Sequence, residues 1–184
     1  MTSENAAHRV AVEWDTPDGS VTGVYIPRRD TSSRLTTLLG RRAFPGWHHR
    51  ARFRVEERDD SYRVEVSSQD GEVEIVVAAH RAGQVMPGSV FAAIEEASAF
   101  FRCAPLGYAP TPKDGAFDGV ALDTEDWSIE PLHLDEARSS FFDDHPRFAP
   151  GTANLDSAFL MANLDTTWRA QPNLLGPATA SSAP

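Results

Sequence analysis

Cysteine and lysine are almost missing from this chain. Cys103 is the single cysteine, so the chain closes no internal disulfide and offers no cysteine cluster to a metal. A lone thiol suits a reducing compartment. Thr2 to Arg9 is polar, with no apolar h-region of the kind a secretory leader needs, and the expected location is cytoplasmic. Lys113 is the single lysine; every other residue of the 17 Lys plus Arg is arginine. Chemistry through a lysine amine therefore has one candidate. No run of about 18 apolar residues is present, so no membrane span is expected. Glycine-rich phosphate loops, HExxH and the nucleophile elbow are missing as well, and neither a cofactor nor a metal is expected. Positive charge is in deficit, with a net charge of -10 and a pI of about 5.0. A phosphate backbone or anionic lipid surface would be repelled, so nucleic acid and membrane are not expected partners.

What is present is ordinary globular material: 184 residues, 41% hydrophobic and 24% charged, which points to a single domain. Residues 1–7 read as a disordered start, 8–170 as the domain and 171–184, rich in Pro, Ala and Ser, as a disordered tail. The chain is organised around Gly23 to Val55. This stretch reads as strand, helix, strand, with Arg28, Arg29 and Asp30 closing the first strand and His48 and His49 opening the next.

Alternation over Arg9 to Asp15 and over Val21 to Ile26, with a Thr16-Pro17-Asp18-Gly19 turn, predicts a hairpin. Asp30, Thr31 or Ser32 caps a short helix whose Leu35, Leu38 and Leu39 share a face, and Gly40 is its stop. Trp47 to Glu57, Tyr62 to Ser68 and Glu72 to His80 form an antiparallel meander with turns at Asp59-Asp60 and Gln69-Asp70-Gly71. Ser89 caps a second helix from Val90 to about Phe101, with Phe91, Ile94, Ala97, Ser98 and Phe101 as its buried face. Pro105, Pro110 and Pro112 make 103–115 irregular or edge strand. Phe117 to Leu122 and Trp127 to Leu134 read as a strand pair, 135–143 as a short helix or strand end, and 157–168 as a weak helix or last strand. Phe100, Phe101, Trp127, Phe141, Phe142 and Trp168 are expected in the core. The fold class is mainly β with two helices, an antiparallel curled or closed sheet.

The chemistry-bearing residues admit two accounts each. On a strand, His48 and His49 point to opposite faces; the inward one is an acid/base candidate or a satisfied core histidine. Arg28 or Arg29 is a bidentate carboxylate clamp or part of a solvated turn. Glu96 is an acid/base carboxylate or part of a helix's wet face. Arg102 suits the helix C-terminus.

The runs GVYIPRRDT (23–31), LLGRRAFPGWHHRARFRV (38–55), GSVFAAIEEASAFFRCAPLGYAPTP (88–112), GVALDTEDWSIEPL (119–132) and SSFFDD (139–144) together resemble the YqjF-like proteins of the DUF2071 family, in the acetoacetate decarboxylase-like superfamily. The likeness covers about residues 8–170. It implies an antiparallel, cone-like β barrel around a central cavity. It also implies further sequence ahead of the strand matched by Arg9 to Trp14, so that the chain begins inside the domain or completes its sheet as a homodimer. Acetoacetate decarboxylase uses paired lysines after a Gly-Phe-Pro turn, one of them forming a Schiff base. The similar stretch here is Ala43-Phe44-Pro45-Gly46-Trp47-His48-His49, and imidazole forms no imine. The resemblance leaves a cavity for a small organic acid or keto compound. His48, His49 and Glu96 are its candidates for lysine-independent acid/base chemistry, and Tyr25, Arg28, Arg29 and Arg102 its candidate binding residues. The alternative is a non-catalytic binding or interaction protein with a vestigial pocket.

Overall fold

A computed structural model describes residues 3–16, 19–39, 46–103, 106–144 and 146–175. In chain order the elements are β1 (Asn5–Thr16), β2 (Gly19–Thr31), α1 (Arg34–Leu39), β3 (His49–Arg58), β4 (Ser61–Ser68), β5 (Glu74–Arg81), α2 (Ile94–Arg102), β6 (Leu106–Pro110), β7 (Ala116–Thr124), β8 (Glu130–Ser139), β9 (Ala158–Leu160) and β10 (Thr166–Leu175). The protein is mainly β with two helices. Among the described residues, no helix is long and apolar enough to cross a membrane.

The strands pair in the order β10-β7-β6-β2-β3-β4-β5-β8-β9, with β1 added to β2. The hairpin β1–β2 and the meander β3–β4–β5 follow the alternation that the sequence shows. Two expectations are corrected. The sheet is mixed, because β2 runs parallel to β3 at Asp30↔His49 and to β6 at Val24↔Gly107. It is also unclosed, with β9 and β10 at opposite ends of the path, so neither a purely antiparallel sheet nor a barrel is formed. Strand β2 is the junction: β1 follows one edge along its length, and β6 and β3 share the other.

Strand β6 is internal, between β2 and β7, and not an edge. Gly107 allows this, since a Cβ there would lie 2.9 Å from Ile26 Cδ1 and 3.3 Å from Val120 Cγ1. Strands β7 and β8 do not pair with each other: β7 lies between β6 and β10, and β8 between β5 and β9. Strand β1 starts at Asn5 and β10 runs to Leu175, so both reach into stretches read as disordered. The turn residues Pro17 and Asp18, the helix stop Gly40 and the tail from 176 lie outside the described residues.

The core consists mostly of aliphatic side chains on adjoining strands, among them Ile26, Ala51, Val66, Ala79, Val120 and Leu132, with Val73 from the turn before β5. Of the aromatic residues expected there, Phe141 is buried, while Phe100, Phe101, Phe142 and Trp168 are exposed. Both helices differ from their patterns. Ser33, not an earlier residue, caps α1, its Oγ accepting the Thr36 N–H at 3.1 Å; Leu35 and Leu38 are 51% and 83% exposed, so their face is not a buried one. Helix α2 begins at Ile94 with Ala93 at its N-cap and no side-chain cap. Ser89 instead donates to Asp156 at 2.7 Å. Asp156 also takes the Ser157 hydroxyl and the Val90 N–H, and these hydrogen bonds hold its carboxyl below the usual value.

Candidate functional site

The face of β1 that reads Arg9, Ala11, Glu13 looks into a cleft of about 720 Å³. Val24 and Ile26 of β2, Gly107 of β6 and Val120 and Leu122 of β7 form its floor. Helix α2 closes one side with Phe100, Phe101 and Arg102; Trp127, Met161 and Trp168 complete the wall. The Trp127 Nε1–H donates to Ser98 Oγ at 2.9 Å, tying α2 to the loop after β7. Glycine is required at 23 by the close approach of β1: a Cβ would stand 2.9 Å from the Trp14 ring and 3.1 Å from the Leu106 carbonyl. A cavity of this size, apolar and aromatic with few polar groups, has the usual make-up of a small-molecule site.

The charges around the cleft are unequal in their freedom. Asp123 takes Arg169 Nε at 2.7 Å, and Glu13 accepts the Ser20 hydroxyl at 2.5 Å. Arg9 and Arg102 line the cleft with no carboxylate partner among the described residues. Burial lowers the pKa of the Arg9 guanidinium. Arg29, whose guanidinium carbon lies 5.7 Å from the centre of the Trp168 ring, is pushed down to about 10 by burial and by the charge of Arg9. Both arginines stay protonated near neutrality, so this end of the cleft carries concentrated positive charge inside an acidic protein.

The structure divides the sequence-derived candidates among several places. Arg102 lines the cleft, and Arg29 lies against its Trp168 wall. Tyr25 is not part of the lining; it packs edge-on against Phe117 at 6.0 Å. Arg28 is the bidentate carboxylate binder that its chemistry suggests, but the carboxylates belong to the chain. Its Nη2 lies 2.9 Å from Asp30 and 2.9 Å from Asp70, and its Nη1 lies 3.1 Å from Glu72. Glu96 turns back to accept the Ala92 N–H at 2.8 Å, one residue ahead of the Ala93 N-cap of α2. His49 places Nδ1 3.0 Å from Asp70 Oδ2 and so joins the Arg28 cluster. Burial would raise the Asp70 carboxyl. Hydrogen bonds from Ser68, the Glu72 amide and Arg28, with the Arg28 charge, instead hold it well below the usual carboxylate range. His48 precedes β3, half-buried, with its pKa lowered by burial and then by Arg29. Thus His48, His49 and Glu96 do not line the cleft that Arg102 lines.

No protein-family model matches the sequence, and no curated protein matches it. The site is therefore read from its own geometry.

Arg9 and the aromatic wall are what sequence reasoning missed. Arg9 sits on the face of β1 that alternation assigns to solvent, opposite Val10, Val12 and Trp14. In the structure Val10, on the face that alternation assigns to the core, is itself 38% exposed. Nothing in a single strand's pattern tells a solvated face from one that lines a cleft. His8 was missed as well. It is buried, stacks on Phe141 with ring centres 4.0 Å apart, and sets Nε2 3.3 Å from Ser139 Oγ.

Proposed function

We propose that this protein binds a small organic acid with an apolar body, holding the acid group at Arg9 and Arg102 and the body against Phe100, Phe101, Trp127 and Trp168. The observation that carries the reading is that Arg9 and Arg102, without carboxylate partners among the described residues, line a cleft whose two acids, Glu13 and Asp123, are engaged by Ser20 and Arg169. A carboxylate placed there gains charge-assisted hydrogen bonds of about 1.5–3 kcal/mol each. The aromatic wall supplies non-directional contact with the rest of the ligand. The family resemblance, with its expectation of an organic acid or keto compound, points in the same direction. Binding without catalysis is the favoured form of the proposal, because His48, His49 and Glu96 are not among the residues lining the cleft, which gathers no acid/base pair from them.

Isothermal titration with octanoate and 4-phenylbutyrate, against their primary amides, tests this. The acids should bind and raise the thermal midpoint by mass action, and the amides should bind roughly tenfold or more weakly, as loss of one charged hydrogen bond requires. Equal affinity for acid and amide would overturn the proposal, as would the absence of binding by either acid.

A further inference from the structure

A second cluster lies on the sheet formed by β5 and β8, whose residues are not among those lining the cleft. His80 and His133 are direct cross-strand partners in the antiparallel register. Side chains of such a pair emerge on the same face, and the two imidazole centres are 4.9 Å apart. The register then slips by one residue: Ala79 faces Leu134 while Ala78 faces Glu136. Asp135 is the extra residue of this β-bulge, a device that re-aims side chains beside functional sites. Its Oδ2 comes to 3.0 Å from His80 Nδ1.

The geometry points to a divalent-metal site formed by His80, His133 and Asp135. One donor atom from each residue falls within 4.8 Å of the others. Around a tetrahedral zinc ion with bonds of about 2.0–2.2 Å, neighbouring donor atoms stand about 3.3–3.6 Å apart. The His80–Asp135 edge, at 3.0 Å, needs to open by only a few tenths of an ångström, and the larger movement is His133 closing in, by side-chain rotation on an open surface. The nearest cation in sequence does not oppose the ion, because Arg81 is paired with Glu130 and lies 3.4 Å from Asp60. Two imidazoles and one carboxylate suit a borderline first-row cation such as Zn²⁺ better than Ca²⁺ or Mg²⁺, which prefer all-oxygen shells. Three protein ligands leave a position for water. The ion would staple β5 to β8 across the bulge.

The test is isothermal titration of the full chain with ZnCl₂ in a non-chelating buffer, paired with thermal melts. Binding of one equivalent is expected, with a rise in the melting midpoint. His133→Ala and Asp135→Asn should each weaken it by roughly 10–100-fold or more, since even outer-shell partners of a metal contribute that much. His49→Ala removes the other histidine that is paired with an aspartate and should leave the affinity within about twofold. Both site variants alter exposed side chains, and their metal-free melts check that the fold is kept. The inference is overturned if no saturable binding occurs, or if His133→Ala and Asp135→Asn bind zinc as the parent does. It does not depend on the cleft's ligand.

Discussion

Arg28 and Asp30 stand two residues apart on β2, so they point to one face of the strand, and there they form an almost fully buried ion pair with Nη2 2.9 Å from Oδ1. Both side chains are enclosed, at 6% and 0% exposure. Asp70 and Glu72 complete the guanidinium's partners from the turn between β4 and β5. The cluster fastens the junction strand to that turn. Removing one member of a buried pair leaves an uncompensated charge, at about 3–5 kcal/mol, whereas replacing both by apolar groups is often close to neutral. Arg28→Met should therefore lower urea stability by about that amount. Arg28→Met combined with Asp30→Leu should recover a large part of it. A double variant no more stable than the single one would show that the pair does not act as a unit.

His8 makes the stability depend on pH. Burial lowers its pKa first; the Asp30 charge works the other way, and Arg28 and Arg147 add to the lowering. Its Nδ1 is buried without a hydrogen-bond partner. Above about pH 6.5 the ring is neutral in both folded and unfolded chains. As pH falls below that value the unfolded chain takes up the proton more readily than the folded one, so stability declines towards the lower folded pKa. His48 shifts in the same direction, and Asp70, already held low, stays outside this window. Urea midpoints should fall between pH 7.5 and 5.5, and His8→Phe, which keeps a ring against Phe141, should make that fall shallower. An unchanged slope in the variant would remove His8 from this account.

The parts of the fold that were legible in the sequence are those set by local pattern. Val64 and Val66 facing Val55 and Phe53 across β3–β4 announce the meander, because alternation and a tight turn determine a hairpin register. Parallel neighbours carry no such signal: nothing near Val24 or Asp30 says that β6 and β3 will lie alongside β2, since the connections are long. Pro105, Pro110 and Pro112 argued against an internal β6, yet Pro110 closes the strand and Gly107 is what its neighbours leave room for. Leu35 and Leu38 of α1 show the opposite failure, a helical period whose side chains are left exposed among the described residues. For the site, residue chemistry was legible and residue company was not. Arg28 does bind carboxylates and His49 does pair with one, but Asp70 and Glu72 come from a turn more than 40 positions from Arg28, and Asp70 lies 21 positions from His49.

Gly119 on β7 is a steric checkpoint for β10. A Cβ at this position would fall 2.6 Å from the Pro172 carbonyl and 3.1 Å from Gln171 Cβ, where the β7–β10 register shifts between Gln171 and Leu174. The obstacle is backbone, which cannot rotate away. Gly119→Ala should cost about 1–3 kcal/mol, the usual penalty of overpacking, and loosen β10. Because Trp168 rides on β10, the same change should weaken any ligand of the cleft. A fluorescence titration and a urea melt on one sample would register both effects, and a variant with parental stability would show that the strand simply slides.

The two accounts of the cleft make opposite demands on its neighbours. If Arg9 and Arg102 hold an acid group, each Arg→Ala change should weaken octanoate binding by roughly tenfold or more, as loss of one charge-assisted hydrogen bond does. The losses should not simply add if both arginines grip the same group, since each single change already removes the coupling between them. His49→Ala should leave that affinity within about twofold, because its imidazole is turned to Asp70 and is not among the side chains lining the cleft. If instead the histidines act on the ligand, the ranking reverses, with His48→Ala and His49→Ala costing more than either arginine. Measuring the four single variants against one acid by calorimetry separates these outcomes. Affinities that follow the histidines would move the site from the cleft to the junction of β2 and β3.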